Sequence, residues 1–151
     1  MALPQLSDIY NFLSISDDLG TSGQPTSAQL AAVKEAGYNV VINLATGATP
    51  RDLPNEAALV GELGLDYIHI PVVWDDPTDD DLAQFFEAME KTQDRKRFVH
   101  CIANMRVSAF VLLYRVLRQK ISLDEAQASM NQIWRPNETW QAFINQSLAQ
   151  G

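Results

Sequence analysis

Residues 99–110, VHCIANMRVSAF, decide the fold. They join the end of an apolar run, Arg97 to Cys101 (RFVHC), to the start of a strongly apolar helix, Arg106 to Leu117 (RVSAFVLLYRVL). A short apolar run followed almost at once by a helix is the pattern of a strand buried on both faces of a parallel sheet. Cys101, the only cysteine, falls where the strand ends, and Arg106 falls where the helix starts. That placement suits an anion: loop N–H groups point inward, the helix N-terminus adds partial positive charge, and an arginine fork grips two oxygens of a tetrahedral group. The same field favours the thiolate, the nucleophilic form of cysteine. A cation in a first helical turn opposes the dipole, and a bound anion gives Arg106 a reason to be there. Ala103 and Asn104 suit a tight curl, because Asn enters the left-handed region more readily than other residues with a Cβ.

Working outward, Asn39 to Leu44 (NVVINL) and Asp66 to Val73 (DYIHIPVV) read as two further strands. Helices are expected from Thr26 or Ser27 to Gly37, from Pro54 to Leu63, and from Asp79 to Thr92, where Leu82, Phe85, Phe86 and Met89 share one face. After Leu117 come two more helices, around Leu123 to Trp134 and Asn137 to Leu148, broken at Arg135 and Pro136. Residues 3–13 read as a short helix and Gly20 to Pro25 (GTSGQP) as turn chemistry. Strands alternating with helices predict one α/β domain over 1–151, a three-layer sandwich with a central, largely parallel sheet and helices on both faces. Ligands of such sheets bind outside the carboxyl ends of the strands, where Cys101 lies. The helices after residue 120 carry no motif; they complete the core or hold a dimer face.

Of 151 residues, 46% are hydrophobic and 20% charged, the balance of a globular chain that buries a core without staples. The net charge of −8 argues against nucleic acid and against anionic membrane as partners, since both are held largely by Lys and Arg. One cysteine forms no intrachain disulfide, and with two histidines it makes a poor zinc inventory, so no metal and no cofactor are expected. Neither a signal peptide nor an apolar run long enough to span a membrane is visible, which reads as a cytoplasmic protein.

His100, Cys101 and Arg106 resemble the phosphate-binding loop of cysteine-dependent phosphatases, the tyrosine and dual-specificity group. SGQPTSAQLAAVKEAGYNVVINLATG (22–47), DYIHIPV (66–72) and the strand into Cys101 are similar to a bacterial phosphatase-like family related to the beta-lactamase hydrolase-like proteins, over roughly residues 15–120. The resemblance implies a hydrolase of phosphate monoesters that binds a phosphate-containing substrate or a small anion such as phosphate or sulfate. Cys101 would be the nucleophile, Ile102, Ala103, Asn104, Met105 and Arg106 the anion cradle, and His100 the loop support, its alternative being a plain core histidine. It also implies a general acid, for which Asp76 is narrowly preferred over Asp75, with Asp79 a distant third; helix capping and loop solvation are the competing roles of Asp75 and Asp76.

Two departures stand out. Four residues separate Cys101 from Arg106 where tyrosine phosphatases generally have five; four is the spacing common in rhodanese sulfurtransferases, and it also resembles loops in the beta-lactamase hydrolase-like group. Val107 occupies the position after the arginine, where those enzymes usually carry a hydroxyl that stabilises the thiolate, and Ser108 one step later is the candidate substitute. A sulfurtransferase carrying a Cys101 persulfide and a catalytically weak anion-binding module are therefore the alternative readings. Trp74 walls the pocket or covers the core, Arg51 is an anion attractor or surface charge, and Trp134 and Trp140 read as packing residues.

Overall fold

The computed structural model describes residues 4–151. Five strands, β1 (Leu13–Ser16), β2 (Leu19–Ser22), β3 (Val40–Asn43), β4 (Asp66–His69) and β5 (Arg97–His100), form one sheet in the order β1-β2-β5-β3-β4. β1 and β2 are an antiparallel hairpin, and every other pairing is parallel. The helices are α1 (Ser27–Glu35), α2 (Glu56–Glu62), α3 (Asp79–Lys91), α4 (Met105–Leu117), α5 (Leu123–Asn131) and α6 (Glu138–Gln150).

Alternation along the central strands makes two cores. Val40, Ile42 and Val99 point to the side covered by α3, α4, α5 and α6, where Phe85, Phe110 and Trp140 are fully buried. Val41 and Phe98 point the other way, toward Leu30 and Val33 of α1 and Val60 of α2. Successive side chains of a strand face opposite sides, so a run apolar at every position requires cover on both. The helix starts follow the capping chemistry: Thr26, Thr78, Ser122 and Asn137 each accept a first-turn N–H.

The N-terminal region differs from the expectation. The helix expected over residues 3–13 is a single 3₁₀ turn, Leu6–Asp8, followed by β1; Leu3 lies outside the described residues. Gly20 to Ser22 of the expected turn belong to β2, completely buried beside β5. Gly20 is there because the chain passes against a ring: a Cβ would stand 2.5 Å from the Tyr38 hydroxyl. The ladder of β4 runs past its formal end, since Ile70 and Val72 donate to Asn43 and Leu44 carbonyls at 2.9 and 3.0 Å. That extension brings Val72 to the carboxyl edge, beside the end of β5. No helix among the described residues is long and apolar enough to cross a membrane.

Candidate active site

β5 delivers His100 and Cys101 to the carboxyl edge of the sheet between β2 and β3, and the chain turns within Ile102–Asn104 into α4. Three ties fix this turn. Gln24 N–H donates to the Ile102 carbonyl at 2.9 Å, Asn11 Nδ2 donates to the Ala103 carbonyl at 2.9 Å, and Asn104 Nδ2 donates to the Asn11 carbonyl at 2.9 Å and to Thr21 Oγ1 at 3.1 Å. Gly23 admits the first of these, because a Cβ there would meet the Ile102 carbonyl at 2.5 Å. Asn104 is left-handed (φ 64°) and buried. Asn104→Ala is expected to lower stability by about 2 to 3 kcal/mol, the left-handed cost for a Cβ residue plus two lost hydrogen bonds, and Asn104→Gly by less because its backbone fits. Denaturant unfolding of both variants checks this; equal losses would mean that the backbone conformation carries no cost.

The turn leaves main-chain donors free. Among the described residues, the N–H groups of Ile102, Ala103, Met105, Arg106 and Val107 find no acceptor. Four of these residues, Ile102, Ala103, Met105 and Arg106, line a cavity of about 330 Å³ together with Cys101, Thr49, Arg51 and Trp74. Cys101 is almost completely buried at its base, and Arg106, 7% exposed, is held in place by Nη1 donating to the Val72 carbonyl at 2.7 Å. Unpaired N–H groups, a helix N-terminus and a fixed guanidinium around one cavity make a cradle for a tetrahedral anion.

Beneath the loop lies a pair that the motif does not reveal. His100 Nε2 is 2.6 Å from Glu56 Oε2, with both side chains buried, and His100 Nδ1 is 3.1 Å from the Cys101 carbonyl. Gln24 Nε2 donates to Glu56 Oε1 at 2.7 Å. Burial pushes the Glu56 carboxyl up, but hydrogen bonds from His100, Gln24 and Tyr67 and the charge attraction of His100 outweigh it, leaving Glu56 below its ordinary range. Burial together with the Glu56 charge raises the Tyr67 hydroxyl to about 12, so it remains a donor at neutral pH.

The remaining sequence candidates stand apart from the base of the cavity. Ser108 Oγ donates to the Met105 carbonyl at 2.9 Å and accepts from Trp134 Nε1 at 2.9 Å. Asp75 and Asp76 are exposed on the turn after Trp74 and do not line the cavity. Trp74 itself packs on Trp134 and Trp140, and its carbonyl accepts from Trp140 Nε1 at 2.6 Å, so the C-terminal helix anchors this turn. Among the described residues, no group of three or more His, Cys, Asp or Glu is placed to hold a metal ion.

The sheet order, the loop at the end of the central strand and the helices on both faces define the class: the fold is that of the tyrosine and dual-specificity phosphatases. A family model described as a DSP-PTPase phosphatase fused to NAD+ kinase matches residues 13–146, and the chain belongs to this family. The crystal structure of a DUF442 protein from Shewanella putrefaciens CN-32 has a TM-score of 0.86 at 34% identity, covering 96% of this chain and 93% of that one. The core catalytic domain of the PP-IP phosphatase SIW14 from S. cerevisiae shares the fold, with a TM-score of 0.76 at 16% identity over 95% of this chain and 87% of that one. The beta-lactamase hydrolase-like protein of Xylella fastidiosa (strain Temecula1) is 29% identical over 119 residues, 77% of this chain and 27% of the relative. The chain thus spans about a quarter of the length of that relative.

Proposed function

We propose that the chain hydrolyses phosphate monoesters through a cysteinyl-phosphate intermediate. The observation that carries the reading is the cavity that Cys101 and Arg106 line together with Ile102, Ala103 and Met105, residues whose main-chain N–H groups find no acceptor among the described residues. In the first step the Cys101 thiolate forms an S–P bond while the P–O bond to the leaving group breaks, and Asp76 gives the leaving oxygen its proton. The loop amides and Arg106 hold the three equatorial oxygens, over which the charge of the transferring phosphoryl group is spread in the transition state. In the second step water attacks phosphorus, Asp76 takes its proton, the S–P bond breaks, and phosphate leaves with the thiolate restored. Asp76 reaches the leaving oxygen only when the turn after Trp74 folds over the cavity, a closure of the kind that gates many enzymes.

The four-residue loop and the exposed position of Asp76 favour one other reading, sulfur transfer through a Cys101 persulfide, which needs no acid. Aryl phosphate hydrolysis and thiosulfate-to-cyanide sulfur transfer, run side by side on the native protein and Asp76→Asn, separate the two. Phosphate release that drops about 100-fold in Asp76→Asn supports the phosphatase. Sulfur transfer alone, equal in both proteins, replaces it with the sulfurtransferase, and anion binding without either activity leaves the binding module.

A further inference from the structure

We propose that Arg51 reads a second anionic group on the alcohol portion of the substrate and so selects phosphate monoesters that carry one. This role rests on the reading of Cys101 as the nucleophile of a phosphate-ester hydrolase. The cradle cavity adjoins a second cavity of about 470 Å³, and Arg51 and Ile102 line both. Tyr10, half exposed, Pro25 and Leu53 give the second cavity apolar walls, and Gln24 and Asp52 border it. Phosphate alone occupies a small part of this joint space, whose size is that of sites for whole small molecules. An ester with its phosphoryl group in the cradle extends its alcohol portion past Ile102 and Arg51.

Arg51 stands on a loop that its own neighbour ties down. Asp52 Oδ1 accepts from the Gly47 N–H at 3.1 Å, and Oδ2 accepts from the Thr49 N–H at 2.9 Å and from Thr49 Oγ1 at 2.6 Å. The Arg51 N–H donates to Thr49 Oγ1 at 3.2 Å. Burial pushes the Asp52 carboxyl up, but the Thr49 and Gly47 bonds and the Arg106 charge outweigh it and leave it below its ordinary range. The carboxylate next to Arg51 is therefore ionised yet spent on the loop. Arg95, Arg97, Arg115 and Arg118 each pair with a carboxylate, whereas Arg51 pairs with none among the described residues, in a chain of net charge −8. Both Arg51 and Arg106 line the cradle cavity, and Arg106 is tied to the Val72 carbonyl. With the phosphoryl oxygens taken by the loop amides and Arg106, a second carboxylate or phosphate is what gives the Arg51 fork a bidentate partner.

Calorimetric titration at neutral pH with para-(phosphonomethyl)benzoate and its uncharged twin, para-(phosphonomethyl)benzamide, tests this without turnover, since neither has an ester bond to cleave. The native protein is expected to bind the benzoate about tenfold more tightly; Arg51→Gln levels the two, and Arg51→Lys keeps part of the preference. Arg51 is exposed, so both variants keep the fold. Equal affinities in the native protein, or a preference that survives Arg51→Gln, overturns the role. So does a loss of the same size for both compounds, which would assign Arg51 to the phosphoryl group itself. Rates with para-carboxyphenyl phosphate and para-carbamoylphenyl phosphate, each read as the native-to-variant ratio of kcat/KM for Arg51→Gln, carry the test to the reaction. The ratio is expected to be about tenfold larger for the carboxylated ester. Hydrolysis of both esters with equal ratios overturns the role of Arg51 and leaves the phosphatase reading standing. An Arg51-dependent preference for the benzoate in a native protein that hydrolyses neither ester overturns the phosphatase reading and leaves the second anion site standing.

Discussion

Cys101→Ser is expected to reduce aryl phosphate turnover on the order of 10⁵-fold or more, while phosphate still binds within about threefold of native affinity. The two halves of this expectation come from different atoms. Attack on phosphorus needs an ionised, polarisable nucleophile, and a serine hydroxyl without an adjacent base is scarcely ionised at neutral pH. His100, the neighbouring histidine, does not serve as that base, because its ring nitrogens face Glu56 and the Cys101 carbonyl. Binding uses the main-chain N–H groups of the loop and the Arg106 guanidinium, none of which changes. Cys101 is 1% exposed and packed in the larger core, so a side chain of almost the same size leaves the loop its shape. Initial rates with an aryl phosphate and calorimetric titration with inorganic phosphate, on the same two proteins, read both halves. Turnover retained in Cys101→Ser would place the nucleophile elsewhere, and binding lost together with turnover would mean that the cradle itself had collapsed.

How much of this was legible in the chain depended on whether an element announces itself locally. β3, β4 and β5 were readable because strands buried on both faces are apolar at nearly every position, and the helices because caps and glycine stops bracket them. The β1–β2 hairpin was not. Its strands have four residues each; β1 lies at the sheet edge with only alternate residues half-buried, and β2 is buried through Gly20, Thr21 and Ser22, small residues that read as a turn. Their burial is decided by Tyr38 and Phe98, distant in sequence. The same division runs through the site. Cys101, Asn104 and Arg106 were visible because a strand end, a left-handed turn and a helix start lie within six residues. Glu56 was invisible, since a carboxylate in the first turn of a helix is ordinary, and only the fold brings it to His100, 44 residues away. Ser108 sits where the first-turn register puts it, but its hydroxyl is engaged by Met105 and by Trp134, a partner 26 residues further on.

Trp140→Ala is expected to lower stability by about 3 to 5 kcal/mol and the Tm by about 10 °C, which thermal and denaturant unfolding would measure. Trp140 has no exposed surface and its ring contacts Phe110, Phe143, Trp74 and Trp134 at centroid distances of 5.9 to 6.3 Å, so truncation opens a cavity where α4 meets α6. Trp140→Phe separates this packing from a second role. Phenylalanine refills most of the volume but cannot donate to the Trp74 carbonyl, so the expected stability loss is only about 1 to 2 kcal/mol. That lost bond is one of the contacts, beside the packing of Trp74 on Trp134, that hold the turn carrying Asp75 and Asp76 to the body of the protein. If Asp76 delivers the proton, loosening its turn lowers kcat at a temperature where Trp140→Phe is still fully folded, and leaves phosphate binding intact because the cradle belongs to α4 and its loop. A native kcat in Trp140→Phe would confine α6 to filling the core. A reduced one would make the C-terminal helix part of the catalytic apparatus, acting through a single indole N–H on a turn 66 residues earlier in the chain.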